Sequence, residues 1–283
     1  MDAGFPGRLR LAALVVAAAS TLAAGLVVVA DSARSGSPGD ALEPDLVVQR
    51  PYELYVAKGA KETRLRVSNT VANIGTGPLE MTGDGTLCDD GDGRVTMQRV
   101  YEDSADPDSA GYFIRGEDLD GTNRPAGCSR YHEQHDHWHF DNFARYRLLS
   151  EKTGDVVGGS RKISFCVIDT GQPYPDLPGS PEESWYPQDE GEEFPTCSAT
   201  STDGLSIGWE DTYGASLPGQ GILITDLRKG SYCLVLETDP AGQGTPNGVL
   251  NESDETNNAR DIRVWLRPGK SLVRRVSHDC KSN

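Results

Sequence analysis

The sequence predicts an all-β fold, a β-sandwich with long irregular loops that follows an N-terminal signal or anchor helix. Three observations predict it. Glycine and proline are plentiful, 32 and 17 among 283 residues, and they punctuate a chain into short elements. Short stretches alternate apolar and polar residues, the period of a strand with one buried face. Outside the N-terminus no long stretch carries apolar residues at helical spacing.

The elements follow in order. Arg8 and Arg10 precede an uncharged apolar run over 11–30. Residues 1–30 therefore read as a secretory signal or a signal anchor, long enough to cross a bilayer. The only cleavage signal is a weak one at Val28-Val29-Ala30, so both alternatives stay open. Either one puts the rest of the chain outside the cytoplasm, secreted or held on the outer face of the cell membrane. Residues 31–44, rich in Ser, Gly, Pro and Ala, read as a flexible linker. A single domain over 45–283 is expected beyond it. Strands are predicted at 46–48, 52–56, 63–71, 95–101, 140–149, 162–168, 221–227, 232–237 and 261–266. In the third of these, Leu65, Val67 and Val71 oppose Arg64 and Arg66. Two segments, 83–124 and 170–220, are expected to stay irregular. Loops of that length in a compact domain are often functional.

The net charge of −16 argues against nucleic acid as a partner, since phosphate binding needs a basic footprint. It would attract a cationic substrate such as a lysine side chain or a polyamine. Six cysteines (Cys88, Cys128, Cys166, Cys197, Cys233 and Cys280) are even in number and form no Cys-x-x-Cys pair. Disulfides in an oxidising compartment are their natural state.

Four of the five histidines lie in Tyr131-His132-Glu133-Gln134-His135-Asp136-His137-Trp138-His139. In an extended strand, alternate side chains share a face. His135, His137 and His139 would then converge, and three imidazoles suit copper, zinc, iron or nickel. His132 is one residue out of phase. It is a fourth ligand, an outer hydrogen-bonding partner or an ordinary surface histidine.

The histidine run and the Asp141-Asn142-Phe143-Ala144-Arg145-Tyr146 stretch after it resemble the copper-binding motif of lysyl oxidases. Lys162-Ile163-Ser164-Phe165-Cys166 resembles the family's cofactor-lysine segment. Gly204-Leu205-Ser206 and Asp211-Thr212-Tyr213-Gly214 resemble its cofactor-tyrosine segment. Leu65-Arg66-Val67 and Val71-Ala72-Asn73-Ile74-Gly75-Thr76 resemble the first strands of its catalytic domain. The resemblance runs from about Asp45 to Cys280, and the composition and short leader suggest a bacterial-type member.

The resemblance implies oxidation of a primary amine, or of a lysine in a protein substrate, to an aldehyde. O2 is consumed, and ammonia and hydrogen peroxide are released. The implied cofactors are copper on His135, His137 and His139, and lysine tyrosylquinone built from Lys162 and Tyr213. Asp211, two residues before Tyr213, is the candidate base. A Glu-x-Asp-x-x-Asn-Asn stretch resembles the family's calcium segment. It implies Glu252, Asp254, Asn257 and Asn258, with Asp45 and the Leu46 carbonyl. Gln134 and Trp209 stand where animal members carry cysteines, so the disulfides must differ; Cys166 with Cys197 is the expected pair. The alternative function is a non-catalytic secreted metal-binding module.

Overall fold

The computed structural model describes residues 39–104, 111–159, 163–187, 196–242, 247–277 and 279–280. The expected N-terminal helix and Lys162 lie outside the described residues. Among the described residues the regular structure is strand, apart from one 3-10 turn at Pro268–Lys270. The first six are β1 (Ala41–Leu42), β2 (Leu46–Val48), β3 (Leu54–Lys58), β4 (Thr63–Val67), β5 (Asn69–Asn73) and β6 (Leu79–Leu87). Next come β7 (Arg94–Glu102), β8 (Gly121–His132), β9 (His137–Ser150), β10 (Val156–Gly159), β11 (Ile163–Phe165) and β12 (Thr202–Leu205). The last are β13 (Glu210–Tyr213), β14 (Ile222–Leu223), β15 (Gly230–Thr238), β16 (Ala259–Arg267) and β17 (Leu272–Ser277).

The strands form one sheet of eleven and two of three. The large sheet runs β12-β6-β7-β8-β9-β15-β16-β17, with β1 on β7 and with β10 and β11 on β9. The small sheets are β13-β5-β2 and β14-β4-β3. All three contribute to one core. Val71 and Leu46 come from the first small sheet and Leu65 and Ile222 from the second. Phe143, Tyr146, Leu148, Leu234 and Val264 come from the large one. The expected all-β class with a sandwiched core is therefore what forms. Alternation explains it locally. In β16, Ile262, Val264 and Leu266 are buried while the residues between them are not. In β4, Leu65 and Val67 are buried, and the Arg66 guanidinium between them reaches out to the Ala215 carbonyl at 2.7 Å.

Three expectations need correction. Ala41 and Leu42, placed in the linker by composition, pair with Glu102 and Tyr101, and Leu42 is buried against Phe113 and Ile207. Within 83–124, β7 forms over the predicted strand 95–101, and β6 and β8 extend into residues expected to stay irregular. Within 170–220, β12 and β13 are strands. Glycine misleads here for a physical reason. A Cβ on Gly83 would lie 2.0 Å from the Ala199 carbonyl oxygen, and one on Gly204 1.9 Å from that of Leu79. These strand glycines admit close backbone approach, Gly204 by the neighbouring strand and Gly83 by the loop before β12, and do not mark turns.

The remaining loop is tied down. Buried Asp169 accepts hydrogen bonds from the Ser206 amide (2.9 Å), the Ser206 hydroxyl (2.6 Å) and the Ser184 hydroxyl (2.8 Å). Disulfides join Cys88–Cys128, Cys166–Cys197 and Cys233–Cys280, the second as expected. Phe143 is fully buried between Phe140 and Phe165. Phe143→Ala is expected to destabilise the protein by about 3–5 kcal/mol, measured by urea unfolding.

Candidate metal centre

Antiparallel pairing builds the centre. β8 and β9 form a hairpin in which His132 lies directly opposite His137. Directly opposed residues share a face, and so do residues two apart in one strand. Register therefore puts His132, His137 and His139 together. His135 arrives differently. It sits in the four-residue turn 133–136, where the His135 and Asp136 amides donate to the His132 carbonyl at 2.9 Å and Asp136 takes φ 61°. Strand alternation, expected to align all three histidines, aligns only His137 and His139. The turn folds His135 back to join them. It also cancels the phase difference that seemed to set His132 apart.

The ring nitrogens converge. His139 Nε2 lies 2.9 Å from His137 Nε2 and 3.1 Å from His135 Nδ1. Nitrogens about 2.0 Å from a shared ion would lie about 2.8 Å apart at a right angle and about 3.3 Å apart at the tetrahedral angle. The observed spacings fall in that interval. Two buried ring nitrogens, His132 Nδ1 and His135 Nε2, have no protein hydrogen-bond partner. Burial lowers the pKa of His135 and His137, and takes His139 down to about 3, with repulsion from His137, His135 and His132 adding to it. The rings are thus neutral and carry lone pairs, the form that ligates a metal. His139 Nδ1 faces Ser164, with Oγ at 3.3 Å and the backbone as a further acceptor. A proton held there leaves Nε2 as the ligating atom. His132 stacks on His139, ring centroids 4.8 Å apart and 17° from parallel. By chemistry, neutrality and spacing, this donor set fits a transition-metal ion.

Tyr213 borders the same centre. Its ring stands edge-on to His139 at 6.1 Å and stacks on Phe165 at 3.8 Å. Its hydroxyl accepts a 2.6 Å hydrogen bond from the Cys166 amide. Burial raises the phenol's pKa, and the Asp211 charge raises it further. Asp211 and Tyr213 are the two buried residues of β13 and so face the same way. Burial drives the Asp211 carboxyl well above the usual range. Asp169 adds to this, and the Ile168 and Thr212 amides only partly offset it. A cavity of about 410 Å³ is lined by His135, His137, Asp211 and Tyr213, with Ile168 and Leu217 as apolar wall. A second opening, of about 810 Å³, is lined by His135, His139, Tyr213, Ile163 and Ser164. Ile163 directly follows Lys162 in the chain.

A separate oxygen-rich cluster lies where β2 meets the segment before β16. Glu252 accepts from the Leu46 amide at 2.8 Å and from Asn258 Nδ2 at 3.0 Å, while Asn257 Nδ2 donates to Asp45 at 2.7 Å. Carboxylate oxygens of Asp239, Glu252 and Glu255 lie within 4.8 Å of one another. Asp239 and Glu255 were not singled out in the sequence. Glu255 stood inside the acidic run but off the motif, and Asp239 is brought in by the end of β15. Two motif members stand apart from this arrangement. The Asp254 carboxylate is turned onto Thr256, whose amide and hydroxyl it holds at 2.8 and 2.6 Å. Leu46 presents its amide to Glu252.

Comparison with known proteins is consistent with this geometry. A family model described as lysyl oxidase matches residues 122–275, more than half of the chain. The human protein-lysine 6-oxidase is 34% identical over 145 residues, which span 51% of this chain and 29% of that protein. Human lysyl oxidase homolog 1 is 34% identical over 137 residues, 48% of this chain and 20% of the relative. The Sus scrofa protein-lysine 6-oxidase is 32% identical over 145 residues, 51% of this chain and 49% of its own length. The chain thus matches less than half the length of each of these relatives.

The oxygen cluster makes stability depend on pH. Burial lifts the Glu252 carboxyl to about 9, with repulsion from Asp239 and Glu255 contributing. The folded state therefore keeps a proton that the unfolded chain releases above about 4.5. In cation-free buffer this group costs stability progressively as pH rises from about 4.5 to about 9. Glu252→Gln is expected to lose that component, visible as a flatter plot of unfolding free energy against pH than the unsubstituted protein gives.

Proposed function

Because the chain belongs to the lysyl oxidase family, we propose that it oxidises lysine side chains in polypeptides to aldehydes, consuming O2 and releasing ammonia and hydrogen peroxide. One observation carries the proposal: three neutral imidazoles and a buried tyrosine border the same cavities. His135, His137 and His139 would hold copper, which imidazole suits. Tyr213 and Lys162 would form the quinone. Ile163, next to Lys162, lines a cavity with Tyr213, which supports that pairing. Together the two groups would supply the electron acceptor that O2 regenerates.

The chain's own residues do the rest. The Cys166 amide and the Phe165 ring fix the position and tilt of Tyr213. Ser164 orients His139. Ile168 and Leu217 give the cavity an apolar wall that receives an alkyl chain and excludes water. Asp211 accepts the proton from the substrate carbon next to nitrogen. Its buried site raises the proton affinity of the carboxylate, which suits that task. Three disulfides support a location outside the cytoplasm, secreted or held at the membrane face.

We also propose that the oxygen cluster binds calcium in a structural role. Buried oxygens of Glu255, Asn257 and Asn258 make no hydrogen bond there, beside three crowded carboxylates. A hard cation would satisfy both the orphan oxygens and the excess charge. Asp45, Asp239, Glu252, Glu255, Asn257 and Asn258 are the donors within this arrangement. Asp254 and the Leu46 carbonyl would join by reorienting. Such an ion would tie β2 to β16.

Copper-loaded protein in air is expected to release hydrogen peroxide with a lysine peptide and to show a visible quinone absorbance. Lys162→Ala and Tyr213→Phe should abolish both. An active Tyr213→Phe enzyme would sink the proposal. Calcium at about a hundredfold over its Kd should raise the melting temperature by on the order of 5–10 °C over chelated protein. No shift in calorimetry would remove the structural role.

A further inference from the structure

A second cleft adjoins the cavity of Tyr213. It measures about 800 Å³ and is lined by Gln49, Arg50, Tyr52, Thr70, Glu210, Arg260 and two threonines, Thr170 and Thr212. Those two threonines also line the Tyr213 cavity, so the spaces share a wall. The Thr212 amide donates to Thr170 Oγ1 at 2.9 Å, which ties the two sides of that wall together. β13 supplies both sides. Asp211 and Tyr213 are its buried residues, and Glu210 and Thr212 are its half-exposed ones. Tyr213 is the third residue after Glu210 along β13, about 10 Å away at about 3.3 Å per residue.

Glu210 is an odd group for this position. Its side chain packs against Gly171, where an added Cβ would lie 3.1 Å from Glu210 Oε1. Among the described residues no Lys, Arg or His comes within 4 Å of its carboxylate, although Arg50 and Arg260 line the same cleft. Burial raises its pKa, and its charge reaches the Tyr52 phenol. A carboxylate half out of water with no cation beside it is an electrostatic deficit that a ligand can relieve. Opposite charges held apart in one cleft do not suit a plain polyamine, which the arginines would repel. They suit a polypeptide, whose flanks carry both signs.

Resting on the lysine-oxidation reading above, we propose that this cleft receives the peptide flanking the reacting lysine, and that Glu210 selects substrates with a second basic side chain about three residues away. An extended peptide advances about 3.3 Å per residue, which matches the separation along β13. Glu210 then determines specificity, while Tyr213 and its neighbours serve the chemistry.

The test uses capped heptapeptides with a central Lys among Gly residues, and the same peptides with Arg three positions before or after it. Arginine supplies the charge but has no primary amine to oxidise. The readout is the ratio of kcat/KM for the Arg peptide to that for the Gly peptide. The full-length, copper-loaded chain is expected to favour one Arg peptide by about tenfold. Glu210→Gln should bring the ratio to about one, and Glu210→Asp should keep part of it. A ratio near one in the unsubstituted chain, or a ratio untouched by Glu210→Gln, overturns the proposal. Calorimetry with the Lys replaced by norleucine measures the same ratio in binding, without turnover. If no peptide yields peroxide yet the Arg peptide still binds tighter through Glu210, amine oxidation fails and the cleft assignment stands. If peroxide forms at equal rates from all peptides and binding is equal, the cleft assignment fails and amine oxidation stands.

Discussion

The ladder of β9 is the constraint on which the site depends. β8 and β15 hydrogen-bond successive stretches of one edge of this strand, and β11 and β10 share the other. Its buried residues Phe143, Tyr146 and Leu148 fill the core. Its first residues include His137 and His139 of the candidate metal centre. A one-residue slip of β9 against β8 would turn those histidines to the opposite face and the core residues to solvent. Burial of the aromatic core therefore sets the register that converges the imidazoles. The disulfide loop is fixed to the same strand, since the Trp138 amide donates to the Cys197 carbonyl at 2.8 Å. Cys166 at the other end of that disulfide holds the Tyr213 hydroxyl.

Desolvation sets the chemistry at both candidate cation sites, with opposite consequences. At the histidines it removes protons and leaves neutral donors suited to a soft or borderline ion. At Glu252 and Glu255 it retains protons, lifting the carboxyls to about 9 and about 7. Only a positive ion makes full ionisation favourable there. The acidic balance of the whole chain adds a long-range attraction for cationic substrates. The cleft beside Glu210 would convert that diffuse attraction into a choice among them.

Much of this was legible in the sequence, for reasons tied to particular residues. The alternation of Leu65 and Val67 with Arg64 and Arg66 predicted β4, because a strand with one buried face requires that period. The histidine spacing announced a metal centre, and the motifs around Lys162 and Tyr213 pointed to the family. Glycine-rich stretches misled, because Gly83 and Gly204 lie within strands and serve close backbone contact there. Composition also put Ala41 and Leu42 in a linker, since two residues carry too little pattern to reveal a strand. Asp239 was invisible as a cluster member because it lies far from the acidic run in the chain.

The sequence by itself determined the fold class and the residue types gathered at the candidate metal centre. These depend on local period, composition and motif, which a linear chain displays. Only the tertiary structure decided how the histidines meet. His137 and His139 share a face through strand geometry, His135 joins through a turn, and His132 is brought opposite His137 by hairpin register. It alone put Tyr213 edge-on to His139, and Asp239 beside Glu252. The histidine arrangement rests on a turn conformation that linear spacing does not display, and the last two relations exist only once distant segments have packed into one core.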